Sequence, residues 1–110
     1  MPALKVLFIC SRNRWRSLTA EKIFDGINSL HARSAGTEPG ARIRVNVGHL
    51  SWADIIFVME KKHLRRLQDK FPEAIAPKKI ICLHITDDYE FMEPELVDLL
   101  KAGVAPHLPS

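Results

Sequence analysis

The sequence predicts an α/β chain: a four-stranded parallel sheet in the order 2-1-3-4, with helices on both faces. Three observations carry that expectation. Three short runs rich in Ile, Val, Leu and Phe and a fourth candidate strand, Ala32–Ala35, recur along the 110 residues, and stretches with apolar residues at helical spacing separate them. The three rich runs are mostly apolar, as suits strands covered on both faces. Right-handed crossovers between such strands leave few orders, of which 2-1-3-4 is the one we derive.

The first strand is Leu4–Cys10, and a helix over Ser17–Asn28 follows, with Ala20, Ile23, Phe24 and Ile27 on one stripe. Ala32–Ala35 reads as the second strand. A helix over roughly Arg42–Leu50 is expected against the local preference of Val45, Asn46, Val47 and Gly48, which are poor helix formers. The third strand is Ile55–Met59, followed by a helix over Lys61–Phe71. Its Leu64, Leu67 and Phe71 share one face, with Lys61, Lys62, Arg65 and Arg66 mainly on the other. The fourth strand is Lys79–Ile85. The last helix opens at Pro94 and Glu95 and runs to Ala102, with Gly103 as its stop. The tail Val104–Ser110, with Pro106 and Pro109, is expected to be irregular. No repeat, low-complexity segment or linker divides residues 1–110, so a single domain is expected.

Composition agrees with a compact single domain. Hydrophobic residues make up 46% of the chain, enough for one modest core. Met1-Pro2-Ala3-Leu4-Lys5 leads into only a short apolar run, so no signal peptide is expected, and no run is long enough to span a membrane. Cys10 and Cys82 are too few for a disulfide scaffold, and a working thiol needs a reducing compartment, so the reading is cytoplasmic. The net charge of +3 favours acidic ligands only weakly. His31, His49, His63, His84 and His107 show no metal-ligand spacing.

The segment that carries chemistry is Cys10-Ser11-Arg12-Asn13-Arg14-Trp15-Arg16-Ser17. It joins the carboxyl end of a strand to the amino end of a helix, where open α/β sheets bind ligands and backbone N–H groups meet anions. A loop of this length wraps its amides around a phosphate, and Arg16 returns as a bidentate clamp on two of its oxygens. Cys10 then lies beneath the phosphorus, where the same amides and guanidinium favour a nucleophilic sulfur. Ser17 is placed to donate a hydroxyl hydrogen bond to that sulfur. Asn13 tolerates the left-handed backbone such a loop requires. No Gly-x-x-x-x-Gly-Lys-Ser/Thr occurs, so this is not the nucleotide loop of NTPases. A buried structural Cys followed by a solvated basic turn is the plainer alternative; the register of strand, loop and helix argues against it.

Residues Val6 to Phe24 resemble the low-molecular-weight protein tyrosine phosphatases, whose loop reads Cys-Leu-Gly-Asn-x-Cys-Arg-Ser-Pro-x-Ala-Glu. The likeness continues at Ser34-Ala35-Gly36-Thr37, at Ala53-Asp54-Ile55-Ile56-Phe57-Val58-Met59-Glu60, and at Thr86-Asp87-Asp88-Tyr89. The resemblance implies Cys10 as nucleophile and Arg16 as phosphate clamp. It also implies that Asn13, Ser17 and Ser34 hold the loop, that Asp54 fixes its turn near the loop, and that Asp87 is the general acid. Arg12 stands where the family has Gly, Trp15 where it usually has a second Cys, Leu18 where it has Pro, and Asp88 where Pro follows the acid. The stretch from Gly36 to Asp54 is also shorter than in ordinary members, which leaves the substrate open.

Asp87 and Asp88 follow the fourth strand, at the same carboxyl edge as Cys10. One carboxyl there can protonate the leaving oxygen and later activate water. Asp87 is preferred and Asp88 is its competitor; Tyr89 either lines the mouth or covers the core. Cys82 reads as a core thiol, and His84 as a strand-end residue. Trp52 is expected in the core. The side chains of Arg12, Arg14 and Trp15 are expected to point outward, toward the rim, with Glu38 and Glu90 as candidate partners for the arginines.

The function that follows is a cysteine-dependent phosphomonoesterase acting on phosphotyrosine-type esters through a thiophosphate intermediate, with no cofactor and no metal. The expected partner is a phosphorylated protein or a small phosphate ester. One alternative is a phosphatase acting on nucleotide or RNA-end phosphates, suggested by Arg12 and Arg14. The other is a catalytically weak phosphate-binding regulatory module.

Overall fold

A computed structural model describes residues 4–108; the expectations for Met1–Ala3 and for Pro109 and Ser110 lie outside them. β1 (Leu4–Cys10) sits at the centre, because its residues are apolar on both faces. It pairs in parallel with β2 (Leu30–Gly36) on one side and β3 (Ile55–Val58) on the other, and β4 (Lys79–Cys82) pairs with β3. The order is β2-β1-β3-β4, as expected from the sequence.

Alternation along β1 divides the core into two layers. Val6, Phe8 and Cys10 face α1 (Arg16–Phe24) and α5 (Pro94–Val104), packing with Ala20, Phe24, Leu96 and Leu100. Phe8 stacks between Phe24 and Phe57, with ring centroids 5.7 and 5.4 Å away. Leu7 and Ile9 face the other layer, where α2 (Val47–Trp52), α3 (Lys61–Lys70) and the short α4 (Pro72–Ile75) supply Leu50, Leu67 and Ile75.

Several boundaries differ from expectation, each for a local reason. α1 stops at Phe24 rather than Asn28, because Gly26, Asn28 and Ser29 all take positive φ; Ile27 is consequently exposed. α2 starts at Val47 rather than Arg42, where Asn46 caps it through a reciprocal bond pair with His49. α3 ends one residue early, and Pro72 opens α4, a turn of helix the periodicity missed. β4 ends at Cys82 because His84 has φ 55°; Ile85 rejoins β3 through its N–H to Met59 O. The tail is not irregular at its start, since Val104 ends α5 and Ala105–His107 forms a 3-10 turn.

Candidate active site

The loop after β1 owes its shape to the segment that follows β2. Thr37 N–H donates to Cys10 O at 3.0 Å, Glu38 N–H to Ser11 O at 3.0 Å, and Arg42 N–H to Arg12 O at 2.9 Å. Arg42 Nε donates to Asn13 O at 3.2 Å. Four successive carbonyls are thus drawn outward. In a trans peptide the following N–H points the opposite way, so the amides of residues 11 to 14 turn inward and form a nest for an anion. This close approach needs Gly36, where a Cβ would lie 2.5 Å from Ser11 O. Asn13 takes φ 57°, the left-handed turn expected of it, and Arg12 does not.

Hydrogen bonds converge on the Cys10 sulfur. Asn13 N–H points to it at 3.2 Å, and Ser17 Oγ lies 2.9 Å away. Ser17 Oγ accepts from Asn13 Nδ2 at 2.8 Å, which leaves its own hydrogen free for Sγ when the sulfur is a thiolate. Asn13, Ser17 and Cys10 are all buried at the base of the loop.

Arg16 is only 2% exposed, which a guanidinium tolerates when it is fully engaged. Its Nη1 donates to Glu60 Oε1 at 2.5 Å and to Ile85 O at 2.9 Å. The left-handed turn at His84 is what sets that carbonyl beneath it. With Nη1 used in this way, the Nε–Nη2 edge remains for two oxygens of an anion. Asp87 Oδ1 stands 3.6 Å from Nε, over that same edge. Burial works to raise the Glu60 pKa, but the hydrogen bond and charge of Arg16 outweigh it, and the carboxyl lies below its ordinary value.

Ser11 and His63 form a second tie. His63 is fully buried, and its Nδ1 accepts from Glu60 N–H at 3.0 Å. The ring proton therefore sits on Nε2 and is donated to Ser11 Oγ at 2.9 Å. Burial, and then the charge of Arg16, lower the His63 pKa to about 3, so the imidazole is neutral at ordinary pH. Glu60 and His63 were not read as site residues from the sequence. Glu60 was findable: it directly follows a predicted strand at the carboxyl edge that carries Cys10. Nothing local marked His63.

One cleft of about 270 Å³ collects Cys10, Ser11, Arg12, Arg14, Trp15, Arg16 and Asp87, joined by Glu38 and Lys62. Arg12, Arg14 and Trp15 point outward at its rim; Arg12 reaches Glu38 at only 3.9 Å, and no ion pair links either arginine to Glu90 among the described residues. Asp88 does not line the cleft and accepts from Thr86 Oγ1 at 2.6 Å. Tyr89 packs against the α1–α5 core instead of the mouth. Two expected supports lie elsewhere. Ser34 Oγ donates to Glu21 Oε1 at 2.7 Å, tying β2 to α1 rather than touching the loop. Asp54 accepts from Lys5 N–H at 2.9 Å, at the opposite edge of the sheet from Cys10. Cys82 and Trp52 are partly buried against the second core layer, and the Arg33 guanidinium covers the Trp52 ring at 4.3 Å.

Solved structures share this architecture. A Wzb from Vibrio vulnificus in complex with benzylphosphonate matches with a TM-score of 0.75 and 21% identity, covering 96% of this chain and 97% of that one. A low-molecular-weight protein tyrosine phosphatase from T. tengcongensis matches at 0.70 and 21%, covering 96% and 100%. The YwlE arginine phosphatase from Geobacillus stearothermophilus matches at 0.62 and 19%, covering 97% and 99%. The chain has the low-molecular-weight tyrosine phosphatase fold. In this chain the loop of residues 10 to 17 follows the first strand of that sheet. No protein-family model matches the chain, and no curated protein does. Among the described residues no helix is long and apolar enough to cross a membrane.

Proposed function

We propose that this protein is a cysteine-dependent phosphomonoesterase that hydrolyses phosphotyrosine-type esters through a thiophosphate intermediate. The observation that carries the reading is that Cys10, Arg16 and Asp87 line one cleft, with the Ser17 hydroxyl and the Asn13 amide bonded to the Cys10 sulfur at its base and Asp87 set beside Arg16 Nε. The structural relatives described as tyrosine and arginine phosphatases support it.

Cys10 Sγ attacks phosphorus in line with the ester oxygen, forming the S–P bond as the P–O bond breaks. Asp87 passes its proton to the departing oxygen. The three equatorial oxygens are held by the amides of the loop and by the Nε–Nη2 edge of Arg16, donors already in position before charge develops. Asp87, now a carboxylate, takes a proton from water as that water attacks phosphorus. The S–P bond breaks, phosphate leaves, and the Ser17 hydrogen bond stabilises the departing sulfur. No step calls for a cofactor, and the cytoplasm suits the free thiol.

Nitrophenyl phosphate tests this. The protein should turn it over with a burst of nitrophenol. Cys10→Ser should abolish turnover yet still bind phosphate, seen as a rise in Tm with added phosphate. Cys82→Ser should keep most activity. Phosphate binding without turnover or burst in the natural protein would reduce it to a phosphate-holding regulatory module. Equal loss in both variants would remove Cys10 from its role.

A further inference from the structure

We infer that the phosphate this cleft receives is the terminal phosphate of a single-stranded oligonucleotide, whose following phosphates lie along a cationic track beside α3. The inference rests on the phosphatase reading and adds a substrate class to it.

The track starts at the mouth, where Arg12, Arg14 and Lys62 line the cleft. Lys62, Arg66 and Lys70 then recur at every fourth residue along α3, each step rising about 6 Å along the axis. Arg66 and Lys70 line a second, narrower cleft together with Arg44, from the segment that also staples the loop. Arg14, Arg44, Arg66 and Lys70 are exposed and have no ion-pair partner among the described residues. Of the acids near the track, some pair elsewhere, and neither Asp69 nor Glu73 forms an ion pair with it among the described residues. Glu38 pairs with Arg12, Glu60 with Arg16 and Lys62, and Asp69 does not line the second cleft.

The other side of the mouth has the opposite sign. From Asp87 to Asp98 the chain carries Asp87, Asp88, Glu90, Glu93, Glu95 and Asp98, with no Lys or Arg. A polyanion is repelled from that side and drawn to α3, so the field gives direction as well as attraction. The cleft itself, at about 270 Å³, accommodates little beyond the phosphate and the group bearing it, so the rest of a larger substrate must lie outside. At the reacting end stands Trp15, 45% exposed, an aromatic face for the first base. Regularly spaced single cations beside an exposed indole suit a nucleic acid better than an acidic peptide. Backbone phosphates recur at fixed intervals, and every base presents a face that stacks.

The test compares oligonucleotides of about six nucleotides, phosphorylated at the 5′ or 3′ end, with a mononucleotide, nitrophenyl phosphate and an acidic phosphotyrosine peptide. At low salt one of the two oligonucleotides should exceed the mononucleotide in kcat/KM by about tenfold or more, with a steep decline as salt rises. Arg44→Ala, Arg66→Ala and Lys70→Ala combined should remove that advantage. Each phosphate contact on a single strand contributes about 0.7 to the salt slope, so the triple variant should flatten it by about two. Nitrophenyl phosphate turnover should stay as it was. Equal kcat/KM for oligonucleotide and mononucleotide, or no response to the triple substitution, would overturn the inference. So would an acidic phosphopeptide as the better substrate with the same dependence on the three cations. If the natural protein hydrolyses none of these phosphates, the phosphatase reading fails. Fluorescence anisotropy then judges the track alone: oligonucleotide binding lost in the triple variant supports it, and unchanged binding overturns it.

Discussion

The loop after β1 and the segment after β4 face each other across the same cleft, yet they are held in opposite ways. Every carbonyl from Cys10 to Asn13 has an outside donor, Cys10 has two hydrogen-bonding neighbours, and Arg16 is buried against Glu60 and Ile85 O. Across the cleft Asp87 is 59% exposed and approaches Arg16 at 3.6 Å. Beyond it Asp88 bonds Thr86, and Met92 N–H donates to Thr19 Oγ1. In the proposed reaction the difference separates two tasks. Holding the equatorial oxygens demands donors fixed in advance, since reorganisation during the reaction would cost what preorganisation saves. A proton donor must admit the substrate first, and an exposed carboxyl on a loosely tied segment allows that.

The largest effect expected from breaking this contrast is at the open side. Asp87→Asn should lower kcat by about 10²- to 10⁴-fold on a tyrosyl or alkyl phosphate, and by less on a nitrophenyl ester, whose leaving group hardly needs a proton. Asp88→Asn should change neither, because its carboxyl is bonded to Thr86 outside the cleft. Steady-state kinetics on the two substrate types decides, and the reverse pattern would transfer the acid role to Asp88.

A smaller effect is expected behind the rigid side. Gly36→Ala sets a Cβ against the Ser11 carbonyl and Ala41, neither of which yields without moving the loop. Overpacking of this kind costs about 1–3 kcal/mol, measurable as a lower urea midpoint. Activity should fall as well, through the displaced amides. A variant with wild-type kcat and stability would show that the staple does not shape the nest.

The smallest effect sharpens the comparison through pH. His63 titrates near 3 when folded, against 6.5 for the ordinary side chain, so below pH 6.5 the unfolded chain binds a proton that the folded one does not. Stability is therefore fully present above that pH and is lost progressively toward pH 3. Glu60, whose pKa is also lowered, acts in the same direction, but only below about 4.5. His49, lowered by burial and by Arg33, adds to the His63 window. The decline of Tm between pH 6.5 and 4.5 should become shallower in His63→Gln without vanishing. Histidine ring NMR at about pH 5 should show His63 neutral with its proton on Nε2. A charged ring there, or an unchanged Tm slope, would remove the Ser11–His63 tie from the rigid side.

By itself the sequence determined what depends on neighbours in the chain. The apolar run Leu4–Cys10, the turn-tolerant Asn13 and the return of Arg16 and Ser17 at a helix start specify strand, loop and helix within a few residues. The crossover rule then leaves few arrangements of four such units, and β2-β1-β3-β4 is among them. Tertiary structure alone decided the partners. Glu60 reaches Arg16 across 44 positions, His63 reaches Ser11 across 52, and Ile85 O receives Arg16 across 69. Ser34 went to Glu21 and Asp54 to Lys5, although the family likeness had assigned both to the loop. Such contacts depend on the register between strands and on a single left-handed residue, His84, that resets where β4 ends. Propensity and periodicity act over a turn or a strand, whereas these bonds form only once the sheet has brought distant segments to one edge.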